Sequence, residues 1–568
     1  MDLKNQAKHR ILVDVIQEVN SKYKGAGTIL ILDEVSAKLI SDIVTFADLT
    51  ENGIFVVENI HKQRKSYPGF RAIYIIVPDK VNIDVLETDW SSKDGKYSNL
   101  HLFFTNRLKD NDFSYLKSKN FIKKAKTIKE LNVNVKLLSD YLFRPNQKPA
   151  QLETHIDALT SAISYIPQLE SIEVFKLKNP IYAGSAQIYK NIEGRVKETM
   201  AGNSQGGVNS LKIFIFDRAF DLVTPLIHDF HYEGLLVDIL GNLELSLNTP
   251  DFVLKKFRHK FIRDCMLGIG SDFEKFLNEN PIAKIQRNKD NKDVDIDKMG
   301  VVVRGITEYN ELIKTYETHL DNVKKIDIEI GKKNTNELAD LEYTIITGID
   351  SYGENINTDK RLELAHKYLG SLGANKLDQV RLLMIMQGAL HTDVSSKKKM
   401  IDDPKFSECF SHYLKLVEQY GKYWPKKDKD TLKKVTKMKY NAAESPLQRF
   451  TSKAEHLVST CIKNTKSEHF ESYKYGESKV GFSKSPNTLY KGKFNIGKAK
   501  TNGHNFVIIY FVGGISYPEI QAFKNLESVL GEAWTFLLGG DNILSAKDFI
   551  ENISDIANGN KPSDIIEF

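Results

Sequence analysis

The stretch IFIFDRAFDLVTPLIHDFHYEGLL, Ile213 to Leu236, contains an apolar run that ends in an Asp-Arg pair. The run predicts a buried β-strand, and Asp217 and Asp221 then stand at its end, where an acid pair could act in catalysis. Alternatively, Asp217 and Arg218 cap the following turn and pair locally. No serine elbow, phosphate loop or metal cluster elsewhere in the sequence completes an active site. The pattern therefore favours a structural corner.

The first 135 residues alternate between strand-like and helical periods. Short apolar runs predict buried strands, and segments with helical spacing, such as Ile11 to Val19, separate them. This alternation predicts a parallel sheet covered by helices on both faces. The predicted strands are TILILD, GIFVVENI, AIYIIVP and NLHLFFTN.

The rest of the chain changes character twice. From about Asp251 to Val480 the periods are helical, and the longest runs from Ile306 to Ile330 with three-four spacing. The last 75 or so residues return to strand-turn-helix patterns, too few for a separate domain. We expect them to complete the sheet that begins near residue 140. The predicted domains are 1–135; 136–245 plus 482–568; and 246–481, which divides into about 246–355 with a helical hairpin and about 356–481.

Composition limits the function further. The 568 residues are 41% hydrophobic and 27% charged, typical of a globular protein, and the net charge is only +6. Lysines alternate with acids, so no concentrated basic face for nucleic acid is expected. Three scattered cysteines fit a reducing cytosol, and the longest apolar run is too short to cross a bilayer. We expect a cytoplasmic protein that meets membranes only through partners.

Three other patterns resemble binding sites but fail in detail. The turns Gly513-Gly514 and Gly539-Gly540 lack the spacing of a phosphate loop and favour tight strand-to-helix turns. A calcium-loop-like run from Asp293 to Arg304 lacks the required glycine and the final glutamate. His228 and His231 have no third ligand, which favours hydrogen-bonded histidines. We therefore expect no cofactor, no metal and no catalytic residue.

Several separate stretches resemble the SM family, the Sec/Munc-type proteins that bind syntaxins and control SNARE-mediated vesicle fusion. IFDRAFDLVTPLIHDFHYEGLLVDIL is similar to the family's central motif, and the resemblance extends in order over nearly the whole chain. The other stretches are RILVDVIQEV, LILDEVSAKLIS, VENIHKQRKSYPGFRAIYIIVP, FRHKFI, YETHL, FVIIYFVGGISYPEIQAF and FLLGGDNILSAKDFI.

The resemblance implies an arch-shaped, three-domain architecture: two parallel-sheet α/β domains and a large, mostly helical inserted domain. It implies a monomeric, non-enzymatic regulator of vesicle docking and fusion that is recruited to membranes through SNAREs. The implied partners are a syntaxin-type (Qa) SNARE, a vesicle (R) SNARE and the assembled SNARE complex. The plasma-membrane, exocytic class is the first expectation, and the vacuolar-sorting class is the alternative. A nucleotide-dependent α/β transferase is a competing hypothesis, although it would need a phosphate loop or an acid-base set.

The resemblance also implies three contact sites. Charged residues that follow the first two strands would line the syntaxin cleft and set its register: Asp33, Lys38, Glu58, Lys62 and Lys65. Lys65 replaces an acid common in the neuronal relative, so we expect altered partner charge there. The same residues could instead be ordinary solvated loop charges.

The second implied site is a slot for a short N-terminal syntaxin peptide, with Glu130 holding a basic residue. Its predicted residues, which could alternatively be core positions, are Leu108, Phe113, Ala125, Ile128, Glu130 and Leu131. The third site is the long helix, where Leu320 would contact the vesicle SNARE. Thr307 replaces a hinge proline found in some relatives, which predicts a readily extended hairpin.

Overall fold

The computed structural model describes residues 1–23, 27–91, 96–148, 150–178, 183–202, 207–241, 251–287, 296–371, 376–390, 447, 450–463, 469–476 and 503–557. Part of the calcium-like run, residues 293–295, lies outside these ranges, and the run continues into a helix that begins at Ile296. Among the described helices, none has both the length and the apolarity that a bilayer span requires.

The first sheet is parallel and five-stranded, in the order β2-β1-β3-β4-β5. Its strands are β1 (Thr28–Leu32), β2 (Ile54–Asn59), β3 (Tyr67–Ile76), β4 (Tyr97–Phe104) and β5 (Ala125–Glu130). The accompanying helices are α1 (Leu3–Ile11), α2 (Glu18–Lys22), α3 (Glu34–Ser41), α4 (Phe46–Glu51), α5 (Lys80–Trp90) and α6 (Asp110–Lys117), with a π-helical turn at Leu12–Gln17 and a 3₁₀ turn at Asn120–Lys124.

Both faces of this sheet are buried, which explains why its strands are continuous apolar runs. Leu30 and Ile73 point to the core that includes α1, whereas Ile29 and Tyr74 point to the core under α5. The predicted parallel sheet with helices on both faces is confirmed.

The second sheet has seven strands in the order β10-β8-β9-β11-β13-β7-β6. They are β6 (Lys136–Leu137), β7 (Leu142–Arg144), β8 (Leu169–Leu177), β9 (Asn209–Asp217), β10 (Phe470–Gly476), β11 (Asn505–Val512) and β13 (Trp534–Gly540); β12 (Ile515–Ser516) and β14 (Ile543–Leu544) form a small separate pair. Because β11 lies between β9 and β13, the C-terminal strands complete the sheet, as the sequence predicts.

Helices surround and interrupt this second sheet. The helices that alternate with its strands are α7 (Leu152–Ser164) and α8 (Ala183–Gly202) before the long helical segment, and α18 (Tyr517–Leu530) and α19 (Ala546–Ala557) after it. Between them lie 3₁₀ turns at Arg218–Phe220 and Thr224–Leu226, then α9 (Tyr232–Asp238), α10 (Phe252–Phe257), α11 (Ile262–Glu279), α12 (Pro281–Arg287), α13 (Ile296–Lys333), α14 (Thr335–Thr347), α15 (Thr358–Ser371), α16 (Lys376–Leu390) and α17 (Lys453–Lys463).

The predicted end of the helical domain, residue 481, lies beyond a strand that pairs in the second sheet. The helical domain was expected to extend to residue 481, but β10 pairs antiparallel with β8 along its whole length. Helix α17 likewise packs in the core of the second sheet through Leu457 and Val458. The sequence FESYKYG hides this strand because β10 is an edge strand, half exposed and interrupted by charges. The other domain boundaries stay predictions.

Polar contacts join the parts of the fold. Arg10 of α1 donates to the Leu131 carbonyl (3.0 Å) and to Ser164 Oγ (2.6 Å), so it links the end of the first sheet to α7. Tyr141 Oη lies 2.9 Å from His259 Nε2, just before α11, and the Lys524 ammonium lies 4.4 Å from the Tyr141 ring centroid. Side chains from the N-terminal α1, from the helical segment at His259 and from α18 at Lys524 therefore meet around residues 131–164.

Candidate functional site

The Asp-Arg corner begins at Asp217, the last residue of β9, whose side chain is buried. Its carboxylate accepts hydrogen bonds from the Ser185 backbone N–H (2.9 Å) and from Ser185 Oγ (2.5 Å). Burial raises the pKa of Asp217 to about 6, although the bonds from Ser185 oppose the shift. Asp217 therefore fastens the start of α8 to the end of β9.

The next residue, Arg218, joins segments that lie about three hundred residues apart in the chain. Its guanidinium donates to both carboxylate oxygens of Glu519 at 2.6 Å and to the Gly514 carbonyl at 3.2 Å. It also donates to the Asp221 carbonyl at 2.5 Å and lies 4.8 Å from the Phe511 ring centroid. Glu519 is fully buried, so this is a bidentate ion pair shielded from water.

Asp221 has a third, separate role. Its carboxylate accepts from the backbone N–H groups of Val223 (3.1 Å) and Thr224 (3.0 Å) and from Thr224 Oγ1 (2.5 Å), as in an Asx turn. Asp217 and Asp221 thus hold different partners and do not form an acid pair. The contacts of the corner are structural, but the expected local pairing of Asp217 and Arg218 is wrong, because Asp217 binds Ser185 and Arg218 binds Glu519.

The glycine turns also serve packing. A Cβ on Gly540 would lie 2.7 Å from the Phe511 carbonyl oxygen, and Gly514 has φ +98°. The two histidines have different partners: His228 Nδ1 lies 2.9 Å from Glu342 Oε1, and His231 Nδ1 lies 2.5 Å from an oxygen of Asp229. Within the described ranges, no group of three potential ligands could hold a metal ion.

At the carboxyl ends of the first sheet, Asp33 is buried and committed to the fold. Its carboxylate caps α3 through the Ser36 N–H (2.8 Å) and accepts from the Val77 N–H (2.6 Å) and from Asn82 Nδ2 (3.1 Å). This corrects the expectation that Asp33 offers charge to a partner. Its role is to hold the loops after β1 and β3.

The other predicted cleft residues are accessible. Lys38 is exposed on α3, and Glu58 at the end of β2 is half-buried and accepts from Tyr97 Oη at 3.2 Å. Lys62 and Lys65 are exposed in the loop between β2 and β3. The structure thus supplies exposed cations at this loop, and Glu58 lies at the start of it.

Sequence reasoning missed the anchor of that loop, Arg64. Its side chain is only 3% exposed and donates to Asp89 at 2.6 Å, and Asp89 also accepts from Lys96 at 2.7 Å and from Tyr74 Oη at 3.1 Å. In the sequence Arg64 is one of several basic residues in a row, and nothing in their spacing separates a buried arginine from its exposed neighbours. The Arg64–Asp89 ion pair ties this loop to α5.

Two residues of the predicted peptide slot are in contact beside the edge strand β5. Glu130 accepts from the Leu108 backbone N–H at 2.9 Å, and Leu108 and Ala125 pack in the same core. Ile128 and Phe113 are 41% and 54% exposed, and the slot itself stays a prediction. Leu131 is not part of this group, because it is buried in the other core, against α1.

The long helix is α13, which has 38 residues and spans about 57 Å. It contains the predicted Ile306–Ile330 helix and is unbroken at the exposed Thr307. Leu320 is half-buried and packs against the core shared by α9, α10 and α11.

A buried chain of hydrogen bonds fixes the inner part of α13. Tyr232 Oη lies 2.6 Å from His319 Nδ1, and His319 Nε2 lies 2.7 Å from Asp251 Oδ2. Asp251 in turn caps α10 through the Leu254 N–H at 2.8 Å. The helix is therefore anchored at His319.

Comparison with known proteins identifies the class. The model of the Sec1 family matches residues 28–552, and the chain belongs to that family. The similar curated proteins include a protein transport protein sec1 from Dictyostelium discoideum, 23% identical over 98% of this chain and 99% of that protein. The vacuolar protein sorting-associated protein 45 from Saccharomyces cerevisiae is 20% identical over 92% and 94%. The resemblance to Sec/Munc-type proteins is confirmed.

Solved structures confirm the predicted fold class. The Unc18-syntaxin 1 complex from Monosiga brevicollis contains a chain that matches with TM-score 0.74 and 18% identity, over 98% of this chain and 99% of that chain. The SM protein Vps45 in complex with the Qa SNARE Tlg2 matches with TM-score 0.69 and 16% identity, again over 98% and 99%. At these identities the likeness concerns the fold alone.

Proposed function

We propose that this protein is a non-enzymatic, SNARE-binding regulator of vesicle docking and membrane fusion. Its first α/β domain would hold a syntaxin-type (Qa) SNARE, and the protein would reach membranes through its SNARE partners. Membership of the Sec1 family supports this proposal, as do similar folds solved as complexes with a syntaxin and with a Qa SNARE. In that role the protein would support assembly of the SNARE complex.

The observation that carries the proposal is the loop between β2 and β3. Lys62 and Lys65 are exposed there, while the Arg64–Asp89 pair holds the backbone between them. A fixed pair of cations suits an acidic stripe on a partner helix, because the loop does not have to be ordered when the partner binds. Such charges mainly raise the association rate and set the register.

The experiment measures binding of a syntaxin-type cytoplasmic fragment from the same organism to the full chain. Lys62→Glu combined with Lys65→Glu should slow association by about tenfold or more at low salt and reduce the salt dependence of the rate. Lys190→Glu, an exposed lysine on α8, is the control and should change little. No binding by the unaltered chain to any syntaxin-type fragment would refute the proposal.

A second arm addresses the enzyme hypothesis. A thermal-shift comparison of nucleotides with the syntaxin-type fragment should give stabilisation by the fragment only, because a ligand that binds the folded state stabilises it by mass action. We further propose the exocytic class, with the vacuolar-sorting class as the alternative. Parallel binding to plasma-membrane and endosomal syntaxins would separate the two.

The slot at β5 gives a further proposed contact for the partner's N-terminal peptide. Deleting the first ten or so residues of the fragment should weaken binding, and Glu130→Lys should weaken it to a similar extent. The exposed side chains Phe113 and Ile128 are the apolar part of this contact. For α13, we propose that the segment around Thr307 and Leu320 receives the vesicle SNARE.

A further inference from the structure

Three aromatic rings lie side by side on the surface of the first domain. The Phe55 and Phe70 ring centroids are 5.0 Å apart, and those of Phe70 and Tyr67 are 5.8 Å apart. Phe55 is 64% exposed, and Phe70 and Tyr67 are half-buried. We call Phe55, Phe70 and Tyr67 the aromatic step. Single exposed apolar side chains are common, but three rings in contact form a continuous apolar surface.

The backbone beneath the step is shaped to present these rings. The register of β1 and β2 moves from Thr28 opposite Ile54 to Ile29 opposite Val56, which makes Phe55 the extra residue of a bulge. Bulges redirect a side chain out of its usual alternation. A Cβ on Gly27 would lie 2.6 Å from the Phe70 ring, so the glycine leaves the space that the ring fills.

The aromatic step is continuous with the cationic loop. Tyr67 begins β3 two residues after the exposed Lys65, and its N–H donates to the Lys96 carbonyl at 2.7 Å. The Lys96 ammonium binds Asp89 at 2.7 Å, the same carboxylate that holds Arg64. The Tyr67 backbone and the Arg64 side chain are therefore tied to the same segment, Asp89 and Lys96, on either side of Lys65.

We propose that the aromatic step is an anchoring surface for a helix of the syntaxin-type partner. That helix would carry a large apolar side chain about one turn from an acidic residue. Two residues of extended chain separate Lys65 from Tyr67 by about 7 Å, close to the 5.4 Å or so between successive helical turns. An acid paired with Lys65 then places its neighbour at i±3 or i±4 over the rings.

This inference rests on the proposed function and adds to it. The cations govern approach and register, whereas the rings supply apolar burial and slow dissociation. The partner specified is a helix with mixed acidic and apolar character on one face. A uniformly acidic peptide would fill only half of the surface.

The test uses the full chain and the cytoplasmic fragment of a syntaxin-type SNARE that binds it. Phe55→Ser should weaken binding by about tenfold or more, mainly through faster dissociation, with unchanged salt dependence. Val81→Ser is the matched control, because Val81 is 65% exposed on α5 and is not one of the step residues. It should change affinity by less than about twofold.

Hydrogen exchange on the unaltered chain gives a readout that does not depend on any variant. Partner binding should slow exchange across residues 54–70. Equal affinity of Phe55→Ser and unaltered chain, or exchange at residues 54–57 and 67–70 that the partner leaves unchanged, overturns the aromatic-step inference while the proposed function stands. If the unaltered chain fails to bind every syntaxin-type fragment, both are overturned.

Discussion

Replacing Arg218 by Met tests the corner that joins β9 to the C-terminal part of the sheet. The variant keeps the length of an apolar stem but leaves Glu519 fully buried without its cation. Removing one partner of a buried ion pair costs about 3–5 kcal/mol, because the remaining charge is desolvated and uncompensated. Glu519 keeps the bonds from Ser516 N–H (3.0 Å) and Ser516 Oγ (2.7 Å), so the lower part of that range is expected.

Because a chain of this size need not unfold in one step, the measurement should be local. Native-state hydrogen exchange of β9 and β11 should accelerate by about two orders of magnitude or more, while β3 in the first sheet should be unaffected. Syntaxin-fragment affinity at low temperature should change little, since the corner joins strands of the second sheet and the β2–β3 loop belongs to the first.

A double variant provides the control. Arg218→Met combined with Glu519→Gln removes both charges, and it should recover much of the lost stability because no buried charge remains unpaired. A single variant with normal exchange would refute the assignment of the corner as a structural clamp. If the unaltered chain turned over a small molecule, and Arg218→Met abolished that activity without changing stability, the catalytic interpretation would be supported instead.

Three further predictions concern single side chains. For Asp217→Asn, the melting temperature relative to the unaltered chain should rise as pH increases from about 4 to about 6. Burial raises the pKa of Asp217 from 3.8 to about 6, so the unaltered chain loses folding stability in that window, whereas the neutral amide does not. A pH-independent difference would contradict the burial argument. Gly540→Ala should destabilise through contact with the Phe511 carbonyl, whereas Gly194→Ala in α8, with nothing within 4 Å, should gain about 0.5–1 kcal/mol; equal melting temperatures would contradict this. Asp251→Ala should lower the free energy of unfolding by about 1–3 kcal/mol, because it removes the cap of α10 and the partner of His319, and hydrogen exchange in α13 should become faster. Unchanged exchange in α13 would show that the hydrogen-bond chain does not anchor the helix.

Most of the architecture could be predicted from the sequence, because buried strands and packed helices each leave a characteristic spacing of apolar residues. The apolar run before Asp217 has to be a strand buried on both faces, and three-four spacing over Ile306 to Ile330 has to be a packed helix. The chain's return to strand-turn-helix patterns near its end predicted the split sheet correctly.

What the sequence concealed depends on contacts between distant residues. Whether a charged residue is exposed is decided by neighbours elsewhere in the chain. Arg64 is buried in an ion pair with Asp89, and the buried Asp33 carboxylate accepts hydrogen bonds from Val77 and Asn82. The bulge that exposes Phe55 is likewise a property of strand pairing, which local spacing does not encode.

The position of β11 between β9 and β13 has a consequence for how the protein is made. Glu519 emerges 301 residues after Arg218, which at ribosomal speeds of about 5–20 residues per second means a wait of about 15–60 s. During that time the growing chain displays an unfinished sheet whose inner edge is open to wrong pairing. Cells that produce this protein should therefore depend on chaperones that shield nascent strands, and truncations before β11 should yield aggregates rather than a smaller working product.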